Sequence, residues 1–300
     1  MEGPRTGNDE RMTAGALQSG KGHTDENFPV ASVLIAPNYR GVILAFYRFA
    51  RTADDVADHP TASAEEKLRL LGEMDQSLAG TSHTSEEAAA LRRALAERGL
   101  SPQHGLELLE AFRRDVTKLR YTDWSDLMDY CRYSAMPVGR FVLDVHGEDR
   151  GIWPYSDALC AALQVINHLQ DCAKDYRALN RVYLPQDVLG EFGTCVEALS
   201  APAASEPLRR AIASLANRTQ SLLVQAKPFA SHIGDFRLGL EVSVIQRLAE
   251  SLNRGLMHKD PLSQRVHHGK GEMLSLALAA SLGFLLSPHR KSAARPALSP

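Results

Sequence analysis

The chain is short of most features that announce a function. It has four cysteines in 300 residues, Cys131, Cys160, Cys172 and Cys195, and none forms a Cys-x-x-Cys pair. That excludes a zinc-ribbon spacing and a dithiol redox motif, and the four read as reduced thiols of a cytoplasmic protein. Charge of one sign is lacking too: formal net charge is −2. No electropositive face for polyanions is indicated, so nucleic acid is not expected as a partner. No Gly-x-Gly-x-x-Gly fingerprint is present. The longest apolar run, residues 273–286, is fourteen residues, against the roughly 20 that span a bilayer. His289, Arg290, Lys291 and Arg295 follow it. A buried terminal helix is the simpler reading, with a peripheral membrane contact as the alternative. Residues 1–22 are polar and Gly-rich and lack the apolar segment of a signal peptide, so a disordered tail is expected there.

What the chain does have is helical periodicity, with no convincing strand. Helices are predicted over 37–58, 63–79, 85–98, 102–119, 123–147, 155–178, 206–230, 236–258 and 272–286. Start signals include Ser101-Pro102 and Ser156-Asp157; stop signals include HGEDRG (146–151) and NRG (253–255). One all-α domain over 23–288 is the expectation, with a flexible tail over 289–300.

Two polar patterns interrupt the apolar faces. The first is ARTADDVAD, where Asp54 and Asp58 lie four apart on one face. They sit at the C-terminal end of their helix, where the dipole disfavours negative charge, and the like-charge pair adds a few tenths of a kcal/mol. A solvated helix end tolerates this; so does a pair that holds a cation. The second is QVINHLQDCAKDY. Gln164, Asn167, Asp171 and Asp175 form one stripe, beside an apolar stripe of Val165, Ile166, Leu169 and Cys172. The polar stripe lacks the Lys and Glu of an ordinary solvent face. Its oxygen donors suit Mg²⁺, which keeps waters and bridges to phosphate. Two such stripes facing each other could clamp a diphosphate and stabilise it as a leaving group.

In residue order and spacing the chain resembles the squalene/phytoene synthases, an all-α family with two aspartate-rich motifs across a pocket. Asp54-x-x-x-Asp58 matches the first motif, with Arg51 as a diphosphate contact. Asn167-x-x-x-Asp171-x-x-x-Asp175 matches the second, with Gln164 a turn earlier. NRVYLP (180–185), holding Arg181 and Tyr183, resembles the segment that follows, and YCRYSAMPVGRFV (130–142) resembles the pocket helix. The resemblance runs over about residues 24–260. ENFPVAS, Gln170, YSAMPVGR and DPLSQRV are similar to the branch that makes hydroxysqualene for hopanoid biosynthesis.

That resemblance implies metal ligation by Asp54, Asp58, Asn167, Asp171 and Asp175, with Mg²⁺ as cofactor. It implies presqualene diphosphate as substrate, handed over from a presqualene diphosphate synthase, ionised, and captured by water. An apolar pocket would include Phe28, Tyr47, Tyr130, Ala135, Val138 and Gly139. Pro137 and Gly139 would kink their helix and open room; the alternative is a packing kink with Gly139 at a close contact. Tyr130 would face developing positive charge, or is a core tyrosine. Glu241 would accept the proton of the attacking water, or is a surface residue paired with Arg237. Presqualene diphosphate, squalene or phytoene synthesis, and a non-catalytic binding role, are the competing functions.

Overall fold

A computed structural model describes residues 36–286 and, before them, Ala14 alone. Phe28, the expected tail over 289–300 and, apart from Ala14, the expected tail over 1–22 lie outside those residues; Ala14 itself is buried in the core of the first half. Every regular element among the described residues is a helix.

The first four helices are α1 (Pro37–Asp58), α2 (Ala64–Ala79), α3 (Glu86–Ala96) and α4 (Gln103–Thr117). In α1, Val42, Phe46, Phe49, Ala53 and Val56 are buried, a three-to-four repeat that faces the core. Pro37 stands in its first turn, where a missing N–H is harmless. Ser63 and Ser85 cap α2 and α3, their hydroxyls accepting from Glu66 N–H and Ala88 N–H. Phe49, Leu70, Leu71, Met74, Leu91 and Leu109 close the core of this half. Each buried side chain of this kind contributes about 1.5–3 kcal/mol by leaving water.

The second half holds α5 (Trp124–Ser134), α6 (Met136–His146), α7 (Trp153–Leu179), α8 (Gln186–Glu191), α9 (Glu206–Ala226), α10 (Phe229–His232) and α11 (Phe236–Leu256). The 27-residue α7 is about 40 Å long, and residues along it belong to the larger core. Phe46 of α1 stacks on Phe141 of α6 at 4.0 Å between centroids, which ties the halves together.

Several expectations are corrected. The single helix expected over 123–147 is two: the backbone leaves helical geometry at Ala135 (φ −124, ψ −46), and Pro137 then sits in the first turn of α6. Ser156-Asp157 does not open α7, which begins at Trp153. Ser156 is buried, and Asp157 instead accepts two bonds from Arg140, at 2.8 and 2.6 Å. Pro228 divides 206–230 into α9 and α10, and α11 runs through Gly255 to Leu256. Gly147 ends α6 in the left-handed region, as its position foretold.

The final helix, α12 (Lys270–Leu286), is buried on one face only. Ala280 and Phe284 are covered by α11, while five of its leucines stay more than half exposed. Among the described residues no helix is long and apolar enough to cross a membrane.

Candidate active site

Between the halves lies a cavity of about 550 Å³ walled by α1, α4, α6, α7 and α11. Its polarity changes along its length because two helices change along theirs. On α1 the wall runs Ile43, Tyr47, Ala50, Arg51, Asp54, Asp58; on α7 it runs Leu159, Leu163, Gln164, His168, Asp175. Both are apolar towards the N-terminus and acidic towards the C-terminus. The acidic ends face each other, since Asp58 lies near enough to raise the pKa of Asp175.

Basic side chains are threaded through the acidic end. Arg51 pairs with Asp54 at 2.9 Å and with the buried Asp55 at 3.0 Å. Arg181, just beyond α7, pairs with Asp58 at 2.8 Å. The balance still leaves excess negative charge. Burial, then Asp58, pushes the Asp54 carboxyl up to about 7, against the pull of Arg51. Burial, then Asp171, does the same for Asp175, also to about 7.

The spacing of charged motifs did not single out Asp115. It lies on α4 at the cavity wall and is 6 % exposed. Its carboxylate accepts from Tyr130 Oη at 2.9 Å and Tyr183 Oη at 2.7 Å. Its backbone carbonyl accepts from Arg181 Nε at 3.2 Å and Nη2 at 2.9 Å. Burial raises this carboxyl to about 6, while Arg181 and the two tyrosines pull it down. The signal was present: Leu108, Ala111 and Asp115 share one face, so an acid stands on an apolar stripe. His168 was also missed. It is buried and stacks on Tyr183 at 3.5 Å between centroids. Burial, with Arg181 nearby, pushes its pKa down to about 3, so the ring is neutral and Nε2 accepts from Gln164 Nε2 at 3.1 Å.

The structure brings Tyr47, Arg51, Asp54, Asp58, Tyr130, Val138, Gly139, Gln164, Asp175, Arg181, Tyr183 and Glu241 to one cavity. Ala135 is not on its wall; it is the buried joint between α5 and α6. Asn167 and Asp171 belong to the α7 stripe but do not line the cavity. Gly139 satisfies both of its readings: it lines the cavity, and a Cβ there would collide with Ser156 Oγ and Cys160 Sγ of α7. Tyr130 presents its ring to the cavity and commits its hydroxyl to Asp115. Glu241 is no surface residue: it is 6 % exposed on α11, whereas Arg237 is exposed. Gln170 is buried and its amide donates to Val266 O, holding the segment after α11.

The raised Asp54 pKa has a thermodynamic consequence. Between about pH 4 and the folded-state value of about 7, the folded protein holds a proton that the unfolded chain has lost. Its stabilising contribution is therefore full below about pH 4 and is lost as pH rises to about 7. The side chain keeps 40 % exposure, so solvent screening reduces the effect to about 1 kcal/mol, or roughly 2–4 °C. In magnesium-free buffer near pH 8, Asp54→Asn should melt above the parent by that amount, and near pH 4 the two should coincide. Thermal melts at the two pH values check this; equal melting near pH 8 would refute it.

Comparison with known proteins agrees with this geometry. The squalene/phytoene synthase family model matches residues 21–272. A hydroxysqualene synthase of Zymomonas mobilis is 57 % identical over 92 % of this chain and 94 % of its own length. Another, from Rhodopseudomonas palustris, is 58 % identical over 85 % and 87 %. The crystal structure of a squalene synthase from Alicyclobacillus acidocaldarius aligns with a TM-score of 0.68 at 33 % identity, covering 81 % of this chain and 91 % of that one. A dehydrosqualene synthase aligns at 0.72 with 19 % identity, covering 88 % and 93 %, a likeness of fold. With Asp54, Asp58 and Asp175 at one end of an apolar cavity in an all-helical fold, the chain belongs to the squalene/phytoene synthase family.

Proposed function

We propose that the chain is a hydroxysqualene synthase that converts presqualene diphosphate and water to hydroxysqualene and inorganic diphosphate. The observation that carries the reaction class is the lengthwise polarity of the cavity: carboxylates and Arg181 at one end, aliphatic and aromatic walls at the other. That shape fits a substrate with a charged head and a long hydrocarbon body. The choice of product is supported by the hydroxysqualene synthases to which the chain is most of a length similar, and by Glu241 on the wall.

The acidic end has the composition that Mg²⁺ prefers. Its donors are carboxylates, and Asp54 and Asp175 carry pKa values raised partly by neighbouring carboxylates, a repulsion a divalent cation relieves. Among the described residues no three acidic, histidine or cysteine side chains form a metal-holding cluster. Mg²⁺ needs no such cage when substrate phosphate completes its shell. Asp54, Asp58, Asn167, Asp171 and Asp175 would hold it. Bound there, the ion neutralises charge that develops on the departing diphosphate.

The protein's own groups do the rest. Arg181, fixed by Asp58 and the Asp115 carbonyl, holds positive charge at the head-group end. Ile43, Phe46, Leu108, Leu163 and Ile245 exclude bulk water from the hydrocarbon body. The rings of Tyr130 and Tyr183 face the cavity and can stabilise positive charge on carbon. Glu241 takes the proton from the single water that adds to that carbon. Substrate and product are both lipids, so peripheral contact with a membrane, and handover from the enzyme that makes presqualene diphosphate, belong to the same reading.

The test is incubation with Mg²⁺ and presqualene diphosphate in the absence of NADPH. Hydroxysqualene and diphosphate are expected, and farnesyl diphosphate alone should yield neither. Presqualene diphosphate formed from farnesyl diphosphate would instead identify a sister activity. In the same assay Glu241→Gln should cut alcohol output by about 10²-fold, the usual worth of a positioned base, with diphosphate release less affected. Unchanged alcohol output would remove Glu241 from the mechanism.

A further inference from the structure

The two ends of the cavity meet at His168. The wall that α7 supplies is apolar up to Leu163 and acidic at Asp175, with Gln164 and His168 between them. His168 stands two turns short of Asp175, about 10 Å of helix rise. The residue is 8 % exposed. Its ring lies flat on that of Tyr183, with 13° between the planes, and Tyr130 is tilted against it at 5.9 Å. Rings packed this closely resist rotation of the imidazole about its Cβ–Cγ bond, so each ring nitrogen keeps its direction.

The contact with Gln164 fixes which nitrogen carries the proton. An amide nitrogen donates and does not accept, so Nε2, 3.1 Å from Gln164 Nε2, is the acceptor. The neutral ring then holds its proton on Nδ1. Among the described residues Nδ1–H meets no acceptor, and Nδ1 is not sealed from open space. Neighbouring donors are already committed. The hydroxyls of Tyr130 and Tyr183 donate to the Asp115 carboxylate, and Arg181 donates to Asp58 and to the Asp115 carbonyl.

We propose that His168 Nδ1–H donates a hydrogen bond to the oxygen that joins the diphosphate to carbon, and that Gln164 is a positioning residue that holds the ring in this donating tautomer. The joining oxygen lies where charged head and hydrocarbon body meet, and that is the level of His168 in the wall. As the C–O bond breaks, its electron pair leaves with the diphosphate and the carbon becomes positive. The N–H bond of His168 stays intact throughout. A fixed donor stabilises the transition state more than the bound substrate, because the oxygen gains its charge only as the bond breaks. Neutrality matters as well: a charged imidazolium here would set a cation beside the carbon that is turning positive. The inference deepens the proposed reaction and rests on it for the substrate, while the contact itself is read without turnover.

The experiment compares His168→Phe, which keeps a stacked ring and removes the donor, with His168→Asn, whose amide N–H stands close to the place of Nδ1–H. With Mg²⁺ and saturating presqualene diphosphate, well below each variant's melt, His168→Phe should release diphosphate about 10²-fold more slowly, the cost of one preorganised donor. Its KM should stay within about twofold of the parent. His168→Asn should recover at least about tenfold of the lost rate. Gln164→Leu should slow the parent but not His168→Phe, because the two residues act as one unit. The ratio of alcohol to other products should not move, since only ionisation is slowed. Without turnover, NMR of nitrogen-labelled histidine should show His168, identified by its absence in His168→Asn, with a protonated Nδ1 and a bare Nε2. The Nδ1–H signal should shift when Mg²⁺ and inorganic diphosphate are added. Parent-like release in His168→Phe, a loss that His168→Asn does not recover, a proton on Nε2, or a signal indifferent to inorganic diphosphate each overturns the proposal. If the parent turns over no presqualene diphosphate but the Nδ1–H signal moves with inorganic diphosphate, the reaction assignment fails and the contact stands.

Discussion

Asp54→Ala and Asp171→Ala should each lower magnesium-dependent turnover by at least 10²–10³-fold, about what loss of one preorganised transition-state contact costs, without unfolding the protein. The two substitutions probe opposite motifs. Asp54 lies on the cavity wall of α1, and Asp171 sits one turn before Asp175 on α7, near enough to raise its pKa. Neither is a structural linchpin. Asp54 is held against its neighbours at an unfavourable pKa, and Arg51 keeps Asp55 as a partner when Asp54 is gone. A turnover assay across magnesium concentrations, beside a thermal melt, separates the roles. Parent-like activity in either variant would defeat the metal assignment. Activity lost together with the melting transition would make that residue structural instead.

Asp115→Ala should show the opposite pattern, losing stability and turnover together. The carboxylate is buried and accepts from two tyrosine hydroxyls, and it lies 3.8 Å from Arg181 Nε. Its removal leaves both hydroxyls without their acceptor and Arg181 short of one countercharge. Breaking a buried charged cluster from one side costs about 3–5 kcal/mol, which for a domain of this size is a drop of about 10 °C in Tm. Asp115→Asn keeps an acceptor of the same shape and should recover part of the stability. Turnover measured well below the melt should still fall in both variants, because Tyr130, Tyr183 and Arg181 are all held in place through this residue. An unchanged Tm in Asp115→Ala would contradict the geometry.

Local pattern revealed the helices and one jaw of the site better than it revealed the wall between them. The repeat Val42, Phe46, Phe49, Ala53, Val56 marks α1 with the boundaries it has, Pro37–Asp58. Asp54 and Asp58 stand together because an i,i+4 relation is fixed within a single helix. The break at Ala135 was not legible, since Pro137 is equally compatible with a kink and with a new first turn; packing of α6 on α7 through Gly139 decides between them. Asp115 escaped for a related reason. Its partners Tyr130, Tyr183 and Arg181 come from other elements, and no spacing along one helix can reveal them. Glu241 was legible as a carboxylate but not as a buried one, because its burial is a property of where α11 lies. The exposed face of α12 was hidden in the same way: an apolar run looks alike whether one face or both are covered.

The lengthwise polarity of the cavity has a kinetic side. Carboxylates and Arg181 can grip only what is charged. In the proposed reaction the charge departs with the diphosphate, and the alcohol left behind has no ionic hold at the mouth. It is retained by apolar contact alone, through a hydrocarbon body for which water is a poor exit phase. Egress of the finished lipid therefore calls for a hydrophobic phase to receive it.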